Sequence, residues 1–341
     1  MKSASTASHR SSLVLSESRP DVRFLLLPLP DFTMLPFGGF LDKLRFSADD
    51  EDHSRQRYCE WKILGLTDSH IRSSSGVNIS SDATVGQVDL TTFDYLVVFG
   101  SRTTEAAIGY AKEYGPTLRK AARCGLSLVC IDNASFLLAA AGLLKGYKVA
   151  LHWRHIQEFR DAFPLIPVVS EQIYCFDRNR ITCAGGATAI DMAVELLARH
   201  CGRQRALKGL ADMLVDETRG HHHQLKSLDA EPNAGRHVTK AIALMRALMT
   251  EPLTIDDLAH RIGVGRRHLD RLFMVHCNLS AHDYWQKMRL EHLHWRVLNS
   301  NRPLSSLADE VGMSSTSRMS KLFCEHFGKT PAALRREVGL G

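Results

Sequence analysis

Between residues 22 and 200 two hydrophobic rhythms alternate along the chain. Residues 22–27, 61–66, 95–99 and 126–131 are runs of five or six positions rich in Val, Leu, Ile and Phe. Continuous apolar runs of that length suit strands covered on both faces. Stretches with helical spacing lie between or after them, at 37–45, 104–123, 134–141, 152–163 and 188–200, and one more helix is predicted over 203–218. Strands alternating with helices predict an α/β domain: a flavodoxin-like parallel sheet with helices on both faces, spanning 21–218. Residues 219–235 lose the periodicity and read as a linker, with His221, His222 and His223 followed by Pro232, Asn233 and Gly235. The histidines lack a cysteine or carboxylate at ligand spacing, so no metal site is expected there.

From residue 236 onward the periodic stretches are all helical, and a pattern repeats. Leu258-Ala259, Ile262-Gly263, Leu272-Phe273, His276, Asn278 and Ser280 return as Leu307-Ala308, Val311-Gly312, Leu322-Phe323, His326, Gly328 and Thr330. The offset is 49 residues before the turn and 50 after it. The small Ala side chains let two helices approach closely. Gly263 and Gly312 are placed to end the first helix of each copy in the left-handed conformation. The second helix takes its N-cap from Gly265 in the first copy and from Ser314 or Ser315 in the second. Asn278 and Gly328 fill a left-handed position at its far end. Each copy is a helix-turn-helix, so residues 236–341 form an all-α domain with two such motifs. Between them, residues 281–299 read as one helix of about 28 Å. Such a rod can hold two recognition helices about one DNA turn (~34 Å) apart, in successive major grooves.

Charge singles out the same segment. The 341-residue chain carries 43 Lys/Arg and 37 Asp/Glu; residues 236–341 hold 16 and 10 of these, leaving the first 235 residues neutral. The whole net charge of +6 therefore lies in the helical third. A neutral larger part joined to a basic smaller one suits a sensor or enzyme fused to an anion-binding module. The eight cysteines form no C-x-x-C pair and read as reduced thiols, not a disulfide or zinc framework. No apolar run reaches the ~18–20 residues of a membrane span. Residues 1–20 are Ser-rich without the apolar core of a secretory signal, and read as a disordered arm. These features predict a cytoplasmic protein with no membrane partner, no metal and no cofactor.

The segments TIDDLAHRIGVGRRHLDRLF and LSSLADEVGMSSTSRMSKLFCEHFGKTP resemble the two helix-turn-helix units of the AraC/XylS family of bacterial transcription regulators. Met319 stands where that family commonly has Phe. On the first recognition helix Leu269, Leu272 and Phe273 must face the core, leaving Arg266, Arg267, Asp270 and Arg271 outward. On the second, Leu322 and Phe323 point inward and Thr316, Ser317, Arg318 and Lys321 point out. The resemblance implies contacts to bases or phosphates of promoter DNA at these positions. Arg267 and Arg271 suit guanine O6/N7, and Lys321 suits guanine or a phosphate. Asp270 either accepts from cytosine N4 or orients an arginine. RNA polymerase as a partner, in transcription activation, is implied by the family alone.

The stretch LSLVCIDNASFLLAAAGLLKGYKVALHW places a buried strand directly before a helix, presenting Asp132 on a sharp elbow over the carboxyl ends of the strands. With FLLLPLPDFTMLPFGGFLDKLR, DYLVVFG, His152-Trp153 and RITCAGGATAIDMAVELLARHCG, it resembles the class I glutamine amidotransferase-like (PfpI-type) domain, in the subgroup fused to AraC modules. Enzymes of that superfamily carry a Cys nucleophile at the elbow. Here the residue is Asp132, and Cys130 lies deeper on the same strand, so no catalytic residue is assigned. The resemblance implies a ligand pocket that works as a sensor of a small-molecule effector, in a homodimer. Asp132 and Asn133 beside His152 and Trp153 suit a cation such as a quaternary amine or a basic amino acid. Gly100, Ser101 and Gly185 are placed to offer backbone N–H groups to a ligand carboxylate. Bland alternatives stand beside each: Asp132 as a helix cap, Trp153 as core, the glycines as close packing. Two other functions stay open at this point, an N-terminal domain that only dimerises and an enzyme with a DNA-binding appendage.

Overall fold

The four apolar runs form the middle of one sheet in the computed structural model of the chain, which describes residues 19–67, 69–220, 235–251, 253–313 and 315–337. All but the last two residues of the expected N-terminal arm lie outside these described residues, as do the three histidines of the expected linker. Strand β1 (Val22–Pro28) leads to α1 (Met34–Ser47) and β2 (Cys59–Gly65). A small hairpin of β3 (His70–Arg72) and β4 (Asn78–Ser80) precedes β5 (Ala83–Thr84) and β6 (Tyr95–Phe99). Then come α2 (Thr104–Gly109), α3 (Ala111–Arg123), β7 (Ser127–Ile131), α4 (Ala134–Ala140) and α5 (Ile156–Ala162). The domain closes with β8 (Tyr174–Asp177), β9 (Arg180–Cys183), α6 (Thr188–Cys201) and α7 (Arg203–Leu207).

The strand order is β5-β2-β1-β6-β7-β9-β8. Neighbours run parallel except β8, which pairs antiparallel with β9 at one edge. Successive side chains go to opposite faces. Phe24 and Leu26 of β1 join Val97, Phe99, Val129 and Ile131 in a core shared with α1 and α6. Leu25 and Leu27 join Leu96, Val98, Leu128 and Cys130 in a second core with α3, α4 and α5. Helices thus cover both faces, which is why the central strands β1, β6 and β7 are largely apolar.

Several details differ from the sequence expectation, among them these. The β8–β9 hairpin is absent from it, because Asp177, Arg178, Asn179 and Arg180 interrupt any apolar run. The helix expected over 104–123 divides at Tyr110 into α2 and α3. The helix expected over 203–218 stops at Leu207, where Lys208 turns extended (ψ 137°) and Gly209 enters the left-handed region (φ 79°). Gly209 lies so close to the Phe46 ring that any side chain there would collide with it.

The remaining described residues form α8 (Arg236–Ala247), α9 (Ile255–Ile262), α10 (Arg266–Cys277), α11 (Ala281–Asn299), α12 (Leu304–Glu310), α13 (Thr316–Phe327) and α14 (Pro331–Glu337). They build two small cores. Leu258, Leu269 and Phe273 pack with Tyr284, Trp285 and Met288 from the first half of α11. Leu307, Met319 and Phe323 pack with Leu290, Leu293 and Val297 from its second half. The 19-residue α11 therefore belongs to both motifs and fixes their spacing. The repeated punctuation has the expected geometry: Gly263, Gly312, Asn278 and Gly328 have φ of 81°, 65°, 55° and 75°. Ser315 is the N-cap of α13, its hydroxyl accepting the Arg318 N–H at 3.3 Å, while Gly265 precedes α10 without a side-chain cap. No helix among the described residues is long and apolar enough to cross a membrane.

Candidate functional site

The recognition faces follow from the helical period. Leu269 and Phe273 on α10, and Met319 and Phe323 on α13, are buried. One turn away, Arg266, Arg267, Arg271, Thr316, Ser317, Arg318 and Lys321 are exposed. Arg271 Nη2 lies 2.9 Å from His268 Nδ1, and Arg266 Nη1 donates to Asp256 at 2.7 Å. Exposed pairs of this kind contribute little to stability and exchange readily for phosphate. Asp270 is placed differently from the other outward positions. It accepts the Ala281 N–H at 3.1 Å and lies 3.9 Å from Arg266 Nε, so it ties the start of α11 to α10 and orients an arginine.

In the α/β domain β7 ends at Ile131 and α4 begins at Ala134. Asp132 makes the elbow in the left-handed region, at φ 61°, an unusual conformation for a residue with a side chain. Its N–H donates to Cys183 O at 3.0 Å, which anchors the elbow to β9. A Cβ on Gly185, itself at φ 89°, would lie 2.8 Å from Asp132 Cβ. A Cβ on Gly100 would collide with Asn133 and come within 2.8 Å of Ala134 N. Close approach of the elbow requires both glycines. Burial pushes the Asp132 carboxyl above its ordinary range, against the opposing pull of nearby His155 and hydrogen bonds from the Asn133 N–H and the Thr33 hydroxyl.

The polar atoms expected to line the pocket are partly taken up by the fold. The Ser101 N–H donates to Asn133 Oδ1 at 2.8 Å, and Asn133 Nδ2 donates back to Ser101 O at 2.9 Å. Ser101 Oγ donates to Pro30 O at 2.6 Å, and the Gly100 N–H to Ile131 O at 3.0 Å. Gly100, Ser101 and Asn133 thus clamp the elbow, and the N–H groups of Gly100 and Ser101 are taken by the fold. Cys130 is fully buried, and burial pushes its thiol up to about 12. At neutral pH it is a protonated, inert side chain.

His152 and Trp153 depart furthest from expectation. They begin a short turn of 3-10 helix (Trp153–His155) that faces the C-terminal helices. The Trp153 ring lies 5.6 Å from the His292 ring of α11, and 5.6 Å from the Arg246 guanidinium of α8. It is therefore an interdomain aromatic, engaged by the second domain. His152 accepts the Arg154 N–H at 3.3 Å, and burial, with His155, Arg154 and other cations around it, depresses its pKa to about 3. Both residues line a cleft of about 90 Å³ shared with Leu244 and Arg246 of α8.

The junction continues into α5. Glu158 accepts from Thr104 Oγ1 at 2.6 Å and lies 3.2 Å from His155 Nδ1. It also receives Arg296 Nη1 of α11 at 3.0 Å. Burial alone would raise the Glu158 carboxyl, but the His155 hydrogen bond, the Arg296 charge and Thr104 hold it down to about 2. Arg296 is 1% exposed, and its Nε lies 2.9 Å from Glu310 Oε1. Arg302 bridges Asp161 of α5 at 2.7 Å and Glu310 at 3.4 Å. A line of polar groups therefore runs from the elbow, through His155 and Glu158, to Arg296 on the helix that belongs to both helix-turn-helix motifs.

Known proteins divide the chain at the same place. The DJ-1/PfpI family model matches residues 53–199, and a helix-turn-helix domain model matches residues 258–337. The HTH-type transcriptional regulator GbdR of Pseudomonas aeruginosa is 29% identical over 323 residues, covering 94% of this chain and 85% of that protein. CdhR of the same species is 29% identical over 324 residues, covering 93% and 92%. GlxA of Rhizobium meliloti is 29% identical over 226 residues, covering 65% and 69%. The chain therefore carries a DJ-1/PfpI-type domain followed by an AraC-type helix-turn-helix domain, the arrangement of these regulators. The match runs through both domains, so the pairing itself is shared with these regulators.

Several residues of the junction escape a reading of sequence motifs. His155 is three positions beyond His152 in the same segment, and a helical reading of 152–163 puts it one turn from Glu158. Nothing local links Glu158 to Arg296, 138 residues away. Thr33 is likewise far from Asp132 in the chain. Their roles exist only once the sheet and the two domains are assembled.

Proposed function

We propose that this chain is a cytoplasmic, DNA-binding transcription regulator whose PfpI-type domain binds a small cationic metabolite without transforming it. The observation that carries the DNA-binding half is the pair of exposed basic faces on α10 and α13, held by one rod. Cations at helix faces that fit the major groove neutralise phosphates and read guanine edges in double-stranded promoter DNA. Activation through RNA polymerase and a homodimeric α/β domain follow the family pattern and complete the reading.

Asp132 supports the effector half. A carboxylate desolvated at the enzyme family's nucleophile position is costly to keep ionised. A cationic ligand offsets that cost, so an amine is favoured over an acid. Chemistry is disfavoured by the same site, since the elbow holds Asp instead of Cys and the Cys130 thiol stays protonated. A cation beside Asp132 also changes the field at His155, and through it the Glu158–Arg296 pair. The ligand shifts DNA binding by its differential affinity for the two junction states.

The test is a thermal-shift screen of amines and amino acids on the full chain, repeated on Asp132→Asn. Amine hits that vanish in the variant are expected. Stabilisation by carboxylates alone, or hits untouched by the substitution, would overturn the elbow as the effector site.

A further inference from the structure

A cleft of about 400 Å³ lies between the two helix-turn-helix motifs. Its floor is the first half of α11, with His282, Trp285, Gln286 and Arg289; Arg266 of α10 borders it on one side and Arg318 of α13 on the other. The Arg289 guanidinium stacks 4.1 Å from the Trp285 ring centroid, and its Nη2 donates to Glu251 O at 3.2 Å, which fixes it in place. Trp285 is 4% exposed. Its indole N–H and Arg289 Nε are buried with no hydrogen-bond partner among the described residues. Three guanidinium groups thus surround the cleft against one carboxylate, Asp256, which is already paired with Arg266.

We infer that this cleft seats the sugar-phosphate backbone of DNA between the two half-sites, with Arg289 as a phosphate contact that neither recognition helix supplies. The inference rests on the DNA-binding reading above. When α10 and α13 enter successive major grooves on one face of the duplex, the intervening minor groove, edged by phosphates, must cross the surface between them. That surface is this cleft. It offers guanidinium groups, with that of Arg289 held in place, the chemistry a phosphate oxygen satisfies. Phosphate contacts set register and orientation without reading sequence, so α11 becomes the alignment element for both motifs.

The experiment measures affinity across a range of KCl concentrations for the full chain. Its probes are a duplex selected by the wild-type chain from a random pool and a random duplex of equal length. Each neutralised phosphate contributes about 0.9 to the slope of log affinity against log salt. Arg289→Gln is expected to weaken both duplexes by similar factors and lower the slope by about one. Gln286→Lys, a gain that misfolding cannot mimic, is expected to tighten both and raise the slope by about one. Methylphosphonates between the half-sites should weaken the wild type more than Arg289→Gln. Wild-type binding with slopes unchanged in both variants would overturn the inference alone. A wild-type chain that selects no duplex would overturn the DNA-binding reading and this inference with it.

Discussion

Arg296 Nη1 of the DNA-binding domain lies 3.0 Å from Glu158 Oε2 of the PfpI-type domain, and the arginine is 1% exposed. A buried cation shared by two domains makes their docking a matter of charge as much as of apolar contact. Glu158→Gln leaves Arg296 facing Glu310 alone. Breaking a buried pair costs about 3–5 kcal/mol, and the remaining Glu310 favours the lower end. Urea unfolding of the variant should separate into two transitions where the wild type keeps the domains coupled. An unaltered unfolding curve would remove the pair from the junction's energetics.

Two of the junction's histidines, His152 and His292, give it a pH dependence of definite sign. His152 is held near 3, and burial also lowers His292 despite the opposing Glu310 carboxylate. Both are neutral in the docked protein. Below the ordinary histidine value of about 6.5 the unfolded chain binds protons that the folded one refuses, so stability falls as pH drops. Glu158 acts in a lower window: its contribution is complete above about 4.5 and lost toward its folded value of about 2. The melting temperature should therefore decline between pH 7 and pH 5, and His152→Gln should flatten that decline. A flat wild-type profile over this range would contradict the burial of neutral histidines here.

Strain and desolvation at the elbow predict opposite effects for two neighbouring substitutions. Gly185→Ala sets a methyl against Asp132 Cβ at a φ of 89° and should destabilise the domain by about 1–3 kcal/mol. Asp132→Asn removes a carboxylate that burial disfavours, so its stability should equal or exceed that of the wild type. Chemical denaturation distinguishes them. A marked loss of stability in Asp132→Asn would mean that the carboxylate is a structural anchor.

On the DNA face, Arg267→Ala and Lys321→Ala each remove an exposed cation from a different recognition helix. Loss of a base contact should cost about 1–3 kcal/mol and relax preference at one position of the selected site. The two losses should fall in half-sites about one turn apart. Footprinting of a selected duplex checks this. Unchanged footprints in both variants would show that α10 and α13 do not enter the grooves in this way.

The four central strands, most of the helices around them and the two helix-turn-helix motifs were legible because they depend on local signals. Gly263, Asn278, Gly312 and Gly328 announce left-handed residues wherever they stand, and Leu269 and Phe273 reveal the buried face by spacing alone. The elbow at Asp132 was legible for the same reason, as an apolar strand running directly into a helix. The state of its polar groups was less so. Gly100 and Ser101 lie beside the elbow, but whether a backbone N–H is taken depends on partners such as Ile131 and Asn133. Trp153 shows the limit most clearly. An aromatic beside a histidine reads alike over a ligand or against another domain, and only the position of His292 and Arg246 decides.

Affinity for a selected duplex, with and without an amine that stabilises the full chain, tests the central claim most directly. The account predicts that such an amine changes DNA affinity in the wild type and leaves it unchanged in Asp132→Asn, while both bind DNA in its absence. An amine that binds at the elbow yet leaves wild-type affinity for DNA unaltered would contradict the claim that the α/β domain controls the DNA-binding domain.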